Sequence, residues 1–318
     1  MGMTESSARP SARPSGLGRY VRPLGWASLV ANAVLVVTGA AVRLTASGLG
    51  CPTWPECFEG SYTPHGELTL HAAIEFGNRL LTFVLAAIAV ATFVAAVQSG
   101  DRRLRTLALL MGLGIPLQAV IGGVTVLTGL NPWVVSLHLL LSLAIVCLSV
   151  RFLQVVDGVG PAVRGPVVAL AWSTFAAAWA VLYVGTVVTG SGPHAGDLEA
   201  KRNGLDPESV SQLHADSVFL LLGLTIGLLF AVHATGAPRR TRRAVALLLV
   251  IELAQGLIGF VQYFTDLPVV LVAFHVLGSA LIAASATWAL LTVRHPHPVS
   301  LGADLGSDDL REPVGSGR

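Results

Sequence analysis

Four histidines stand at repeated places in this 318-residue sequence. His138 and His275 are 137 positions apart, and His71 and His214 each sit in the tripeptide LHA. The first pair belongs to a longer register: LQAVIGGVTVLTGLNPWVVSLHLLLSLAI at 117–145 returns as AQGLIGFVQYFTDLPVVLVAFHVLGSALI at 254–282. Gln118/Gln255 and Gly122/Gly259 keep the same 137-residue offset. A further stretch, HAAIEFGNRLL at 71–81, sets His71, Glu75, Asn78 and Arg79 within three turns at the start of a long apolar run. A lone histidine among apolar helices is often an interhelical hydrogen-bonding group. Ionisable residues repeated in register are expensive to hold in a membrane and mark function. Two imidazoles from facing helices are an axial ligand set for haem iron in a four-helix bundle. Zinc or copper would ask for third and fourth close ligands, which neither half of the sequence offers.

The elements that must position these groups are membrane helices. Hydrophobic residues make up 53% of the chain and charged ones only 12%, well below the roughly 25% of soluble domains. Eight apolar runs reach the length of about 20 residues that a bilayer demands, at 24–43, 70–98, 105–128, 133–154, 166–190, 209–233, 244–264 and 268–292. None alternates with period two, so helices and not barrel strands are expected. VVTG at 36–39 returns at 187–190. With the 137-residue register it divides the chain into tandem four-helix bundles, 24–154 and 166–292, related by an axis along the membrane normal. Small residues such as Gly122, Gly123, Gly256 and Gly259 could make room for a porphyrin or serve ordinary helix packing.

Sixteen of the 20 basic residues fall in the tails or between spans 2–3, 4–5 and 6–7. By the positive-inside rule both termini are cytoplasmic, and loops 44–69 and 191–208 face outward. The net charge of +2 expresses this topology and points to no nucleic-acid partner. The tails, 1–23 and 293–318, are expected to be cytoplasmic and largely disordered. The first apolar run reads as a retained span and not a signal peptide. Cys51 and Cys57 lie in a Pro/Gly-rich outer loop, where a disulfide is permitted; such a pair is either a staple or a dithiol that exchanges electrons. Cys147, within span 4, reads as a buried apolar filler.

TGAAVRLTASGLGCPTWPEC at 38–57, EFGNR at 75–79, TGSGPHAGD at 189–197 and the histidines of the even spans together resemble the bacterial heme A synthase family over roughly residues 24–292. The resemblance implies a multi-pass oxidoreductase of the bacterial plasma membrane that oxidises the C8 methyl of haem O to the formyl of haem A for terminal oxidases. It implies a substrate haem site in the first half and haem B in the second. The cofactor is then haem B and the substrate haem O. A haem O synthase, an electron donor and membrane lipid are the implied partners, and an oligomer is compatible with this plan.

Carried over residue by residue, His214 and His275 match the second-half iron ligands and His138 one first-half ligand. The family pattern Glu-x-x-His-Arg reads Glu75-Phe76-Gly77-Asn78-Arg79 here, with an amide where imidazole is expected. Two alternatives follow. His71 shares the face of Asn78 but lies about 10 Å nearer the outer surface, and it follows Pro64 by seven residues, as His214 follows Pro207 and His275 follows Pro268. The other alternative is a one-imidazole site with an open iron position. Glu75 is the expected catalytic residue, because oxidising a methyl group sheds protons that a carboxylate in a dry pocket can accept. Arg79 is either an i, i+4 neutralising partner of Glu75 or a holder of a haem propionate. A two-haem electron carrier of the cytochrome b type is the rival function, and it has no use for Glu75.

Overall fold

Buried backbone in lipid must satisfy its own hydrogen bonds, and the eight apolar runs do so as eight helices. The computed structural model describes residues 16–64 and 69–296. It comprises α1 (Val21–Leu44), α2 (Leu70–Gln98), α3 (Arg102–Leu127), α4 (Pro132–Val156), α5 (Pro166–Ser191), α6 (Pro207–Ala234), α7 (Arg239–Phe264) and α8 (Val269–Arg294). All eight are long and apolar enough to cross a membrane, so the protein is an all-α, multi-pass membrane protein. Among the described residues the extended pairing is one isolated bridge, Phe58 to Ser61, in the loop between α1 and α2.

Local sequence sets the helix ends. Thr69, Asp101, Asn131 and Asp206 each accept a backbone N–H of the following first turn, and Pro132, Pro166 and Pro207 occupy first-turn positions where no N–H is missed. α3 and α7 begin earlier than the apolar runs suggested. Arg102, Arg103 and Arg105, and likewise Arg239, Arg240, Arg242 and Arg243, form their first turns, since long basic side chains can lie along a helix and keep their charge in water. At the N-terminus the boundary moves inward from the expected tail of 1–23. Gly16–Tyr20 is a 3-10 turn and α1 starts at Val21, with the Gly18 N–H donating to Gln98 Oε1 at 3.1 Å. The rest of both expected tails, residues 1–15 and 297–318, lies outside the described residues.

Packing follows the sequence repeat. α1 and α3 each pack on both α2 and α4, and α5 and α7 each pack on both α6 and α8. The two sets meet along α4, which touches α5 and α8, and along α1, which also touches α8. Polar groups pin that seam: Gln154 donates to the Leu291 carbonyl at 3.1 Å and the Gly48 N–H to the Gly196 carbonyl at 2.8 Å. Opposite faces carry exposed Phe83, Phe219, Phe230 and Leu257, as lipid contact requires. On the basic side Asp157 holds both Arg22 and Arg240, each at 3.0 Å.

α1 approaches α4 at Gly25. A methyl added there would lie 2.9 Å from both the Phe152 ring and Leu153, and Phe152 is fully buried. Gly25→Val should therefore lower the unfolding free energy of the detergent-solubilised protein by about 1–3 kcal/mol through overpacking. Gly223→Val, at a helix position with no neighbour within 4 Å, is the control and should be neutral or stabilising by a few tenths of a kcal/mol, because glycine is the poorer helix former. Equal thermal shifts in the two variants would contradict this packing.

Candidate functional site

His138 of α4, His214 of α6 and His275 of α8 are each matched by a glycine on the preceding helix. A methyl on Gly122 would meet His138 Cε1 at 3.2 Å, one on Gly185 would meet His214 Cε1 at 3.1 Å, and one on Gly259 would meet His275 Cε1 at 3.3 Å. Those distances are tight enough that a larger residue would push the ring aside. In all three rings Nδ1 is buried without a hydrogen-bond partner. The Val181 carbonyl is close enough to polarise His214 but does not meet hydrogen-bond geometry. Buried polar atoms are ordinarily paired, so three orphaned imidazoles in equivalent settings point to a common occupant.

His214 and His275 face each other with ring centres 6.3 Å apart and planes at 79°. Two rings sharing one metal through facing nitrogens need about that separation, given roughly 2.0–2.1 Å per metal–imidazole bond and about 1.1 Å from nitrogen to ring centre. Among the described residues no group of three or more His, Cys, Asp and Glu side chains is placed to hold a bare metal ion. A planar chelate that brings its own equatorial ligands fits this pair.

In α2 the corresponding place is taken by Asn78. Helix position shows this: Asn78 is the ninth residue of α2, His214 the eighth of α6, His138 the seventh of α4 and His275 the seventh of α8. Asn78 Oδ1 is also buried and unpartnered. His71 sits in the first turn of α2, exposed, with Nδ1 3.0 Å from Ser47 Oγ. The equal spacing from proline does not carry depth, because α6 and α8 begin at or just after their prolines whereas α2 begins at Leu70, six residues beyond Pro64.

One turn below Asn78's level on the outer side, Glu75 is buried at 5% exposure. One oxygen accepts the Cys51 N–H at 2.8 Å and the other accepts Arg79 Nη2 at 2.7 Å. Arg79 goes further and donates to the carbonyls of Cys51 (3.0 Å), Thr53 (3.2 Å) and Glu56 (3.2 Å). Cys51 and Cys57 are joined in a disulfide and fully buried. The loop thus closed carries Trp54, whose indole lies against Gly123; a methyl there would be 2.3 Å from the ring. Consecutive glycines of α3 therefore serve two neighbours, Gly122 the His138 ring and Gly123 the indole. Glu75, Arg79 and the disulfide loop form one rigid group beside the Asn78 and His138 site.

The family described as COX15-CtaA, cytochrome oxidase assembly protein, matches residues 22–196. That is more than half of the chain. The chain belongs to the COX15-CtaA family. Among similar proteins, one named heme A synthase from Lysinibacillus sphaericus is 36% identical over 128 residues, covering 39% of this chain and 41% of its own. Heme A synthases from Geobacillus thermodenitrificans and Bacillus licheniformis are 32% identical over 145 residues and 30% over 130, covering 43% and 40% of this chain and 45% and 42% of theirs. The aligned part thus spans less than half the length of these relatives. The COX15-CtaA match takes in the disulfide loop, Glu75, Asn78, Arg79 and His138, while His214 and His275 lie beyond it.

Sequence reasoning missed several members of this COX15-CtaA site. Gly185 gave no signal because it lies outside the 137-residue register, and the contacts of Trp54 and of Arg79 with the loop carbonyls join segments more than 20 residues apart. Two acidic residues of the second half are paired locally: Asp216 accepts from Gln212 and Glu252 from Thr225, each at 2.8 Å. Because Arg79 supplies the donors that hold the loop carbonyls, Arg79→Ala should loosen segment 51–57. Backbone amide exchange there should accelerate by one to two orders of magnitude, consistent with losing charged hydrogen bonds of about 1.5–3 kcal/mol each in part. Unchanged exchange would mean that the clamp contributes nothing to loop order.

Proposed function

We propose that this chain is a heme A synthase of the bacterial cell membrane, with both termini cytoplasmic, that oxidises the C8 methyl of haem O to the formyl of haem A. The observation that carries this reading is a buried carboxylate, Glu75, paired with Arg79 one turn from Asn78, whose amide oxygen is buried without a partner among the described residues. The opposite half has two imidazoles and no such carboxylate. In this reading residues 24–154 bind the substrate haem O and release haem A, and residues 166–292 hold haem B through His214 and His275. A bound haem B would supply one-electron redox chemistry.

What the chain's own residues do follows from their chemistry. His138 would hold the substrate iron on one face, and Asn78, a neutral amide, leaves the other face weakly ligated. Oxidation of a methyl group through the alcohol to the aldehyde needs an external oxidant such as dioxygen, which would supply the oxygen atom and be reduced to water with electrons from the substrate and from the membrane donor; the Glu75 carboxylate is the group placed to accept the proton of the intermediate hydroxyl. Arg79 balances that carboxylate and fixes its direction, and Trp54 with the disulfide loop keeps water from the outer side of the site. Upstream haem O synthase and a membrane electron donor complete the proposal.

The test is pigment extraction from the purified chain, together with two substitutions. Wild-type protein should yield haem B with haem O or haem A. Glu75→Gln, which keeps an acceptor for the Cys51 N–H, should retain haem content while formyl production falls by about 10²–10⁴-fold, the usual reach of a general base. His138→Ala should lose the haem O or haem A fraction, whereas His71→Ala should leave it in place. Haem B alone in both halves would instead favour a two-haem electron carrier, and full conversion by Glu75→Gln would remove Glu75 from the catalytic role.

A further inference from the structure

Arg43, in the last turn of α1, reaches out of its own half. Its Nη2 donates to the carbonyl of Thr189 on α5, and its stem is covered by Gly196, where an added methyl would lie 3.6 Å from Arg43 Cγ. The Nε of Arg43 is buried with no hydrogen-bond partner. The charge that acts on it is that of another cation, Arg202, and among the described residues neither arginine is ion-paired. A desolvated guanidinium with only a like charge for company is strongly unfavourable unless an anion joins it.

The position names the anion. Thr189 is one turn outward of Gly185 on the same face of α5, its hydroxyl donating to the Gly185 carbonyl at 2.8 Å, and Gly185 is the glycine that packs on the His214 ring. Arg43 therefore stands about one helical pitch, roughly 5.4 Å, outward of the His214 level. A porphyrin between His214 and His275 bears two carboxylates on one edge, and the outward edge is the one next to water. We propose that Arg43 binds a propionate carboxylate of the haem held by His214 and His275, so that the first half of the chain completes the cofactor site of the second. This rests on the bis-imidazole reading of the second half.

The test compares hemin with hemin dimethyl ester, which keeps the ring and iron but lacks both carboxylates. Full-length protein purified from haem-starved cells is titrated with each, and the low-spin bis-imidazole absorption and electron paramagnetic resonance signals report the second half alone. Arg43→Gln should weaken hemin binding about tenfold to a hundredfold, the range for a charge-assisted hydrogen bond, and leave ester binding unchanged. Arg43→Lys should recover part of the preference for the acid. Three results would overturn the proposal: equal weakening for acid and ester, no weakening of either, or loss of bound phospholipid without any change in the acid-to-ester ratio, which would assign Arg43 to a lipid phosphate. If the wild type shows no low-spin signal with either compound, the bis-imidazole reading fails and takes this proposal with it. A wild-type signal abolished by His214→Ala but insensitive to Arg43 would sink the Arg43 assignment alone.

Discussion

An imidazole inside an apolar helix bundle has to be given both room and a partner, and most of what is specific about this protein answers those two demands. Room comes from glycine on the neighbouring helix, once for each of His138, His214 and His275. Among the described residues none supplies a hydrogen-bond partner for Nδ1. Leaving a buried polar atom unpaired costs about 1–3 kcal/mol, so three such atoms would erode a stability that for whole domains is only about 5–15 kcal/mol. The arrangement is sensible for a chain whose imidazoles act on something that enters the bundle. The 6.3 Å between the His214 and His275 ring centres is then a gap kept open by the packing of α5 to α8.

The two halves share a plan and differ where chemistry would differ. Matching Asn78 to His214 by helix position sets Glu75 against Ser211 and Arg79 against Ala215, so the carboxylate and its cation occur in the first half alone. The VVTG register sets Val34 against Gly185, so the α1 position that would cradle a second imidazole carries a side chain. The first half thus lacks an imidazole at this place, and it carries Val34 where the second half has glycine. Under the proposed function, substitution at a few positions would separate a half that holds its ligand through two imidazoles from one that holds it through a single imidazole beside an acid.

How far this was legible in the sequence depends on the range of the interaction. The eight spans were readable because bilayer thickness imposes a length and because lipid permits no other backbone structure; their ends moved by a few residues where arginines extended α3 and α7. The histidines of α4 and α8 were readable from a 137-residue register that crosses a loop. The depth of His71 was not, since counting from proline assumes that a helix starts there, and in α2 it does not. The partners of Arg79 were also hidden: an i, i+4 carboxylate is visible in the sequence, but three loop carbonyls brought in by a disulfide are not.

The same limit explains why Arg43 carried no signal. In sequence it was one of three basic residues on the outer side, a minor term in a topology argument. Its meaning comes from a contact with Thr189 across 146 positions, and from the absence of any anion near it among the described residues. A membrane protein built from two copies of one unit gains little by having the units touch through apolar helices alone, because such a contact is indifferent to what each unit binds. In the proposed arrangement a cation from one unit stands over the ligand of the other, so the affinity of the half that would hold the redox cofactor depends in part on a residue of the half that would do the chemistry.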